Sequence, residues 1–314
     1  PREQEEQGTN QSGHQAPRES RHFHHLRATL MSTETPSLSG MKYQVESILS
    51  SEGASTVMLV NDPKAFSKRY VVKRIAREND AADGLLAHAA VLPEASSKLN
   101  HAGVVNYHDY AVKKSWFKTT GGELLIEYID GKPLNMLGPK VSVKHWALIF
   151  RQLASALAHM HRRKVLHGNL EPAHVLLSRS GQVKVLNYGL ALVDQGSRPT
   201  PTKAFAAPEV LKEGRIVESS DVYSLGCLMY ALLTGKSPGA AKKAETEGNK
   251  VPTPVSLNPN IPVPLSDLIV ACMKAHANNR PESPYDVLQK LEPIAVATKL
   301  SDESLAGLSH EQAE

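Results

Sequence analysis

Apolar residues enter the chain from Tyr43 onward, in short runs rich in β-branched side chains. Val45, Ile48 and Leu49, then Val57, Leu59 and Val60, then Tyr70, Val71, Val72 and Ile75 are separated by turn-formers, which predicts successive strands. Residues 76–100 are dominated by Ala and Leu and predict a mostly helical segment. Pro93 is expected to break or begin a helix there, because it lacks an N–H and crowds the preceding turn. Trp146, Ile149, Phe150, Leu153, Leu157 and Met160 recur at helical spacing, the buried stripe of a helix rather than a ligand box. The two ends lack such order. Residues 1–40 are rich in Gln, Glu, Ser, Thr, His, Gly and Pro, too polar to offset the entropy of ordering, and are expected to form a disordered arm. From about Ala295 to Glu314 the sequence is again small and polar, and a flexible tail is expected.

Polar chemistry is concentrated in His167-Gly168-Asn169-Leu170-Glu171-Pro172-Ala173-His174-Val175-Leu176-Leu177, followed by Asn187-Tyr188-Gly189. These segments resemble the protein-kinase catalytic loop, H-R-D-L-K-P-x-N-x-L-L, and the metal-binding D-F-G. Other stretches agree in order and spacing. Ser50–Val57 stands where the glycine-rich loop belongs, and Val71-Val72-Lys73 where the V-A-x-K strand belongs. Leu124–Leu134 resembles the fifth strand and hinge, and Thr202–Glu209 resembles T-P-A-Y-M-A-P-E. Ser220–Gly226 matches D-V-Y-S-L-G, and Asn279-Arg280-Pro281 matches the late R-P.

Over about residues 43–292 the chain therefore resembles bacterial-type Ser/Thr protein kinases. The resemblance implies an α+β, bilobal protein-kinase-like fold over 41–294, with a β-rich small lobe at about 41–128 and a larger helical lobe at about 132–294. It implies that Asp221 caps the catalytic-loop backbone and that Glu209 and Arg280 form a buried ion pair. It places nucleotide-contacting positions at Lys73, Val57, Val71, Ile126 (the gatekeeper), Glu127 and Tyr128 (the hinge) and Leu176.

The departures fall on the chemistry. Asn169 replaces the catalytic Asp, Glu171 the Lys, His174 the metal-binding Asn, and Asn187 the metal-binding Asp. An amide lacks the basicity to accept the substrate proton, and neutral Asn187 is a poor ligand for Mg²⁺. Glu171 puts repulsion where a cation steadies the transferred phosphoryl group. Gly168 removes the Arg through which activation-segment phosphorylation is sensed. The three glycine positions of the phosphate-covering loop hold Ser50, Glu52 and Ser55, so this stretch reads instead as a β-hairpin turn with Gly53 at its tip. By family spacing the partner of Lys73 should fall at Leu92. Glu94 lies two residues on, ~200° round a helix, and reaches Lys73 only if Pro93 alters the local geometry. The expectation is a pseudokinase with no intact catalytic residue and no metal site, working by binding as a signalling scaffold or allosteric partner for an active kinase or another signalling protein. A Mg²⁺-independent ATP sensor and a residual kinase using Lys73, Glu94 and Glu171 are the alternatives.

Composition narrows this picture. A length of 314 residues with 41% hydrophobic content holds one large or two modest domains with a real core. A net charge of +4, scattered, gives no basic stripe for nucleic acid. Cys227 and Cys272 sit in apolar runs and read as buried reduced thiols of a cytoplasmic protein. No run approaches the ~20 apolar residues of a membrane span, and the N-terminus lacks the apolar core of a secretory signal. Arg21-His22-Phe23-His24-His25 reads as a solvated His-rich stretch, and Met31 is a possible start of translation.

Overall fold

The computed structural model describes residues 36–38, 40–62, 64–65, 68–78, 80–137, 141–239 and 252–310. The His-rich stretch, Met31 and most of the expected arm lie outside these. The last part of that arm is folded: β1 (Ser37–Leu38) pairs with β2 (Met41–Lys42), and Leu38 is buried.

Five antiparallel strands follow, β3 (Gln44–Glu52), β4 (Ser55–Asn61), β5 (Arg69–Ala76), β6 (Tyr107–Ser115) and β7 (Lys118–Glu127), in the order β3-β4-β5-β7-β6. Met58, Val60, Val72 and Leu125 bury one face of this sheet beneath Leu38 and Tyr43. Glu123 is fully buried, yet its carboxylate meets Arg74 at 2.7 Å and Lys113 at 3.0 Å and accepts the Ser37 N–H at 3.1 Å. A buried carboxylate needs such partners, and here they also tie β1 to the sheet.

Against the other face, Ile75 and Leu124 join Leu86, Ala89, Leu92 and Ala95 of helix α1 (Asp80–Ser97). The expected break at Pro93 does not occur, and the helix runs through it. Buried apolar contacts on both sides of Pro93 hold the helix together where its local chemistry would end it.

The larger lobe is built on α2 (Val143–Arg162), capped by Ser142, whose Oγ accepts the His145 N–H. Around it lie the short α3 (Pro208–Glu213), α4 (Glu218–Thr234), the short α5 (Pro254–Leu257), α6 (Val263–Cys272) and α7 (Pro284–Ala297). Between the lobes β8 (Gly131–Pro133), β9 (Val175–Ser178) and β10 (Val183–Val185) form a sheet ordered β10-β9-β8. Helices α4 and α6 pack closely because position 226 is glycine: a Cβ there would stand 2.6 Å from Cys272 Cβ. Cys227 and Cys272 are free buried thiols, and burial pushes Cys272 up to about 12.

The expected tail is also corrected. Helix α7 continues to Ala297, and the chain then turns back along the lobe. Arg151 Nη2 holds Asp302 Oδ1 at 2.6 Å, Leu305 is buried, and the Gly307 N–H reaches the Arg179 carbonyl at 2.9 Å. His310 Nε2 lies 3.0 Å from Asp130 Oδ1, beside the crossover between lobes. Residues 311–314 lie outside the described set.

Candidate functional site

The segment His167–His174 is fixed from below by the first turn of α4. The buried Asp221 carboxylate accepts the His167 N–H at 2.7 Å and the Gly168 N–H at 2.8 Å, and it meets His161 Nε2 at 2.8 Å. Burial pushes the Asp221 carboxyl up, but the hydrogen bonds from His161 and the Gly168 N–H help outweigh it and hold it below the usual range. Gly168 has φ of 79°, and a Cβ there would meet Ile216 Cδ1 at 2.9 Å and Leu190 Cβ at 3.0 Å. A side chain at this position is therefore strained as well as crowded.

Above this cap the polar side chains bind one another and their own backbone. Asn169 Oδ1 accepts the Thr202 N–H at 3.1 Å. His174 Nδ1 donates to the Asn169 carbonyl at 2.8 Å, and its Nε2 stands 3.3 Å from Glu171 Oε1. Burial depresses His174 despite the Asn169 and Glu171 oxygens, and the Lys73 charge adds to the depression.

Asn187 follows β10 with φ of 57°, and its N–H donates to Tyr107 Oη at 2.6 Å. Tyr188 is fully buried, with its hydroxyl on the Val105 carbonyl at 2.9 Å and its ring edge-on to Tyr107. The Tyr188 carbonyl accepts from His88 Nε2 of α1 at 2.7 Å. Burial holds His88 at about 4, against the pull of that hydrogen bond, with Lys73 and His174 lowering it further.

On the sheet, Val57 opposes Lys73 and Val71 opposes Ile126, so these four share the face turned toward α1. All four are half-buried, as is Leu176 on β9. The Lys73 side chain makes no ion pair or hydrogen bond among the described residues, and burial depresses its pKa. Glu94 is exposed and pairs with Lys98 at 2.8 Å, which closes the question of its reaching Lys73; Leu92 at the expected partner position is buried apolar core. The Gly53-Ala54 turn closes a hairpin paired as far as Glu52 and Ser55, as expected.

Glu127 and Tyr128 are already engaged. The Glu127 N–H is spent on the Asn106 carbonyl at 2.9 Å, and its carboxylate binds Asn106 and, across the lobes, Lys184 at 2.7 Å. The Arg69 guanidinium covers the Tyr128 ring at 4.5 Å. In the larger lobe, Arg280 Nη1 and Nη2 grip the Glu209 carboxylate at 2.8 and 3.0 Å, as expected, and Ser220 Oγ donates to it at 2.7 Å.

Residues 43–290 match the family described as the protein kinase domain. The chain belongs to the protein kinase family. Serine/threonine-protein kinase PrkC of Bacillus subtilis is 24% identical over 280 residues, 83% of this chain and 42% of that protein. Serine/threonine-protein kinase PknA of Mycobacterium tuberculosis is 27% identical over 239 residues, 71% of this chain and 55% of that protein. PknB of Mycolicibacterium smegmatis is 29% identical over 220 residues, covering 65% of this chain and 34% of that protein. The chain thus spans about half or less of the length of these relatives. In fold, the crystal structure of the M. tuberculosis PknI kinase domain aligns with a TM-score of 0.66 at 19% identity, over 84% of this chain and 99% of that one.

A protein kinase needs carboxylate and amide oxygens on two Mg²⁺ ions, an Asp to take the substrate proton, and a small-lobe Lys–Glu pair. In this kinase domain the corresponding places hold Asn187, His174, Asn169, Lys73 and Leu92. At the two metal-binding places stand a neutral amide, Asn187, and an imidazole, His174, whose Nδ1–H donates to the Asn169 carbonyl. His88 was not foreseen in the sequence. It lies one helical turn before Leu92, and that spacing was the available signal.

Proposed function

We propose that this kinase domain is a pseudokinase that acts by binding a protein partner, an active kinase or another signalling protein, rather than by transferring phosphate. The observation that carries this reading is the closed hydrogen bonding of the degenerate loop. Asn169 serves the Thr202 backbone, and Glu171 and His174 face each other. Asn169, in the place of the proton-accepting Asp, is an amide without basicity, Asn187 offers Mg²⁺ no charged oxygen, and the retained interactions at Asp221 and Glu209–Arg280 are those that hold the frame. No phosphoryl-transfer step is assigned to these residues.

A second reading, Mg²⁺-independent binding of ATP, is favoured by one feature. Lys73 is a burial-depressed cation with no carboxylate partner among the described residues, so a phosphate beside it would restore its charge. Thermal melting with ATP, with and without Mg²⁺, separates the readings, and γ-labelled ATP measures turnover. The binding-only reading expects no shift and no incorporated label. A metal-independent shift lost in Lys73→Met supports the sensor. Mg²⁺-stimulated incorporation that disappears in Lys73→Met would overturn the pseudokinase reading.

A further inference from the structure

The hairpin joining β6 to β7 ends in Trp116 and Phe117, which are 94% and 98% exposed. Ser115 pairs with Lys118, so these two aromatics are the whole turn. Trp116 has φ of 55°, a conformation that tight hairpin turns normally give to Asn or Gly and that a bulky side chain adopts at a penalty. Folding explains neither the exposure nor the strain, since neither ring packs on the core. Val112, on the same hairpin, is 48% exposed. The surrounding sequence, Lys113-Lys114-Ser115-Trp116-Phe117-Lys118, is basic, and no acid occurs between Asp109 and Glu123. Lys113 is tied to Glu123, whereas Lys114 and Lys118 are exposed and form no ion pair among the described residues.

The tip also projects. The neighbouring strand accompanies β7 to Thr120, where the Arg77 N–H meets the Thr120 carbonyl. Two further residues carry the turn roughly 7 Å beyond that point at the rise of a strand.

From these observations we infer that the β6–β7 tip is a peripheral anchor for an anionic membrane surface, with the rings entering the headgroup layer and Lys114 and Lys118 facing acidic lipid. Area decides between this and a protein groove. Two aromatic side chains bury roughly 300–500 Å², well short of the ~800 Å² that each partner of a standard protein interface contributes, and the narrow turn offers little beside them. A bilayer sets no such minimum: Trp favours its interface, and lysines add attraction to acidic headgroups.

The test uses the full chain with vesicles of phosphatidylglycerol and phosphatidylcholine, against phosphatidylcholine alone. The protein has two tryptophans, and Trp146 is buried, so a change in emission reports Trp116. The expected result is a blue shift and pelleting with the anionic vesicles, weakened several-fold by 0.5 M salt (about the range where surface charge is screened). Trp116→Ser/Phe117→Ser should abolish both signals and Lys114→Glu/Lys118→Glu should reduce them, with melting unchanged in each variant. Unchanged emission with anionic vesicles, or equal pelleting of the serine variant, would overturn the proposal. So would a concentration-dependent dimer lost in the serine variant, which would assign the tip to contact between copies.

Discussion

Asn187 has φ of 57°, a left-handed conformation that Asn and Asp tolerate better than other side chains. The substitution therefore keeps the backbone geometry and removes the charge. Glu209 and Arg280 show the converse, since both members of a pair with no chemical duty persist. Arg280→Ala should lower unfolding free energy by about 3–5 kcal/mol, because it strands a buried carboxylate; chemical denaturation measures it, and a loss below 1 kcal/mol would refute the assignment. A pH effect follows from the buried histidines. Burial holds His88 at about 4 and His167 at about 3, both below the ordinary 6.5. Each is neutral in the fold and protonated in the unfolded chain between those values, so their contribution is complete above pH 6.5 and is lost as pH falls toward 4 and below. Denaturation midpoints should therefore drop between pH 7 and 5, where the depressed carboxyls of Glu209 and Asp221 add little, and His88→Gln should flatten part of the slope. The lost acids were legible in the sequence because the family's spacing assigns each position a role. What the replacements do instead was not, since Asn169 meets Thr202 across 33 residues of chain that no local pattern connects.

Helix α2 and the strands of the small lobe could be read directly, because each buries one face at its own period. Helix α1 could be read except at Pro93, where packing overrode a local breaker. The segment after α7 was misread for a different reason. Its apolar signal is sparse, and one of its anchors is an ion pair between Arg151 and Asp302, invisible to any window of sequence. Truncation after Ala297 should cost about 2–3 kcal/mol, the scale of one buried leucine, Leu305, and should be seen as a lower denaturation midpoint. An unchanged midpoint would show that the strap contributes nothing. The β6–β7 tip escaped notice because turns are expected to be polar, and two aromatics in a turn belong to neither the strand nor the helix pattern.

Taken whole, the domain keeps the tie between lobes through Glu127 and Lys184, the Asp221 cap and the Glu209–Arg280 pair, while its cleft polar groups bind each other. These frame interactions are all made between the protein's own groups. The course of the strap has a practical use. A fluorophore attached behind His310 is delivered next to Asp130, at the crossover from β7 to β8. With an acceptor dye on the Gly53 turn, energy transfer reports any change in the separation of the hairpin from that crossover when a ligand or partner is added.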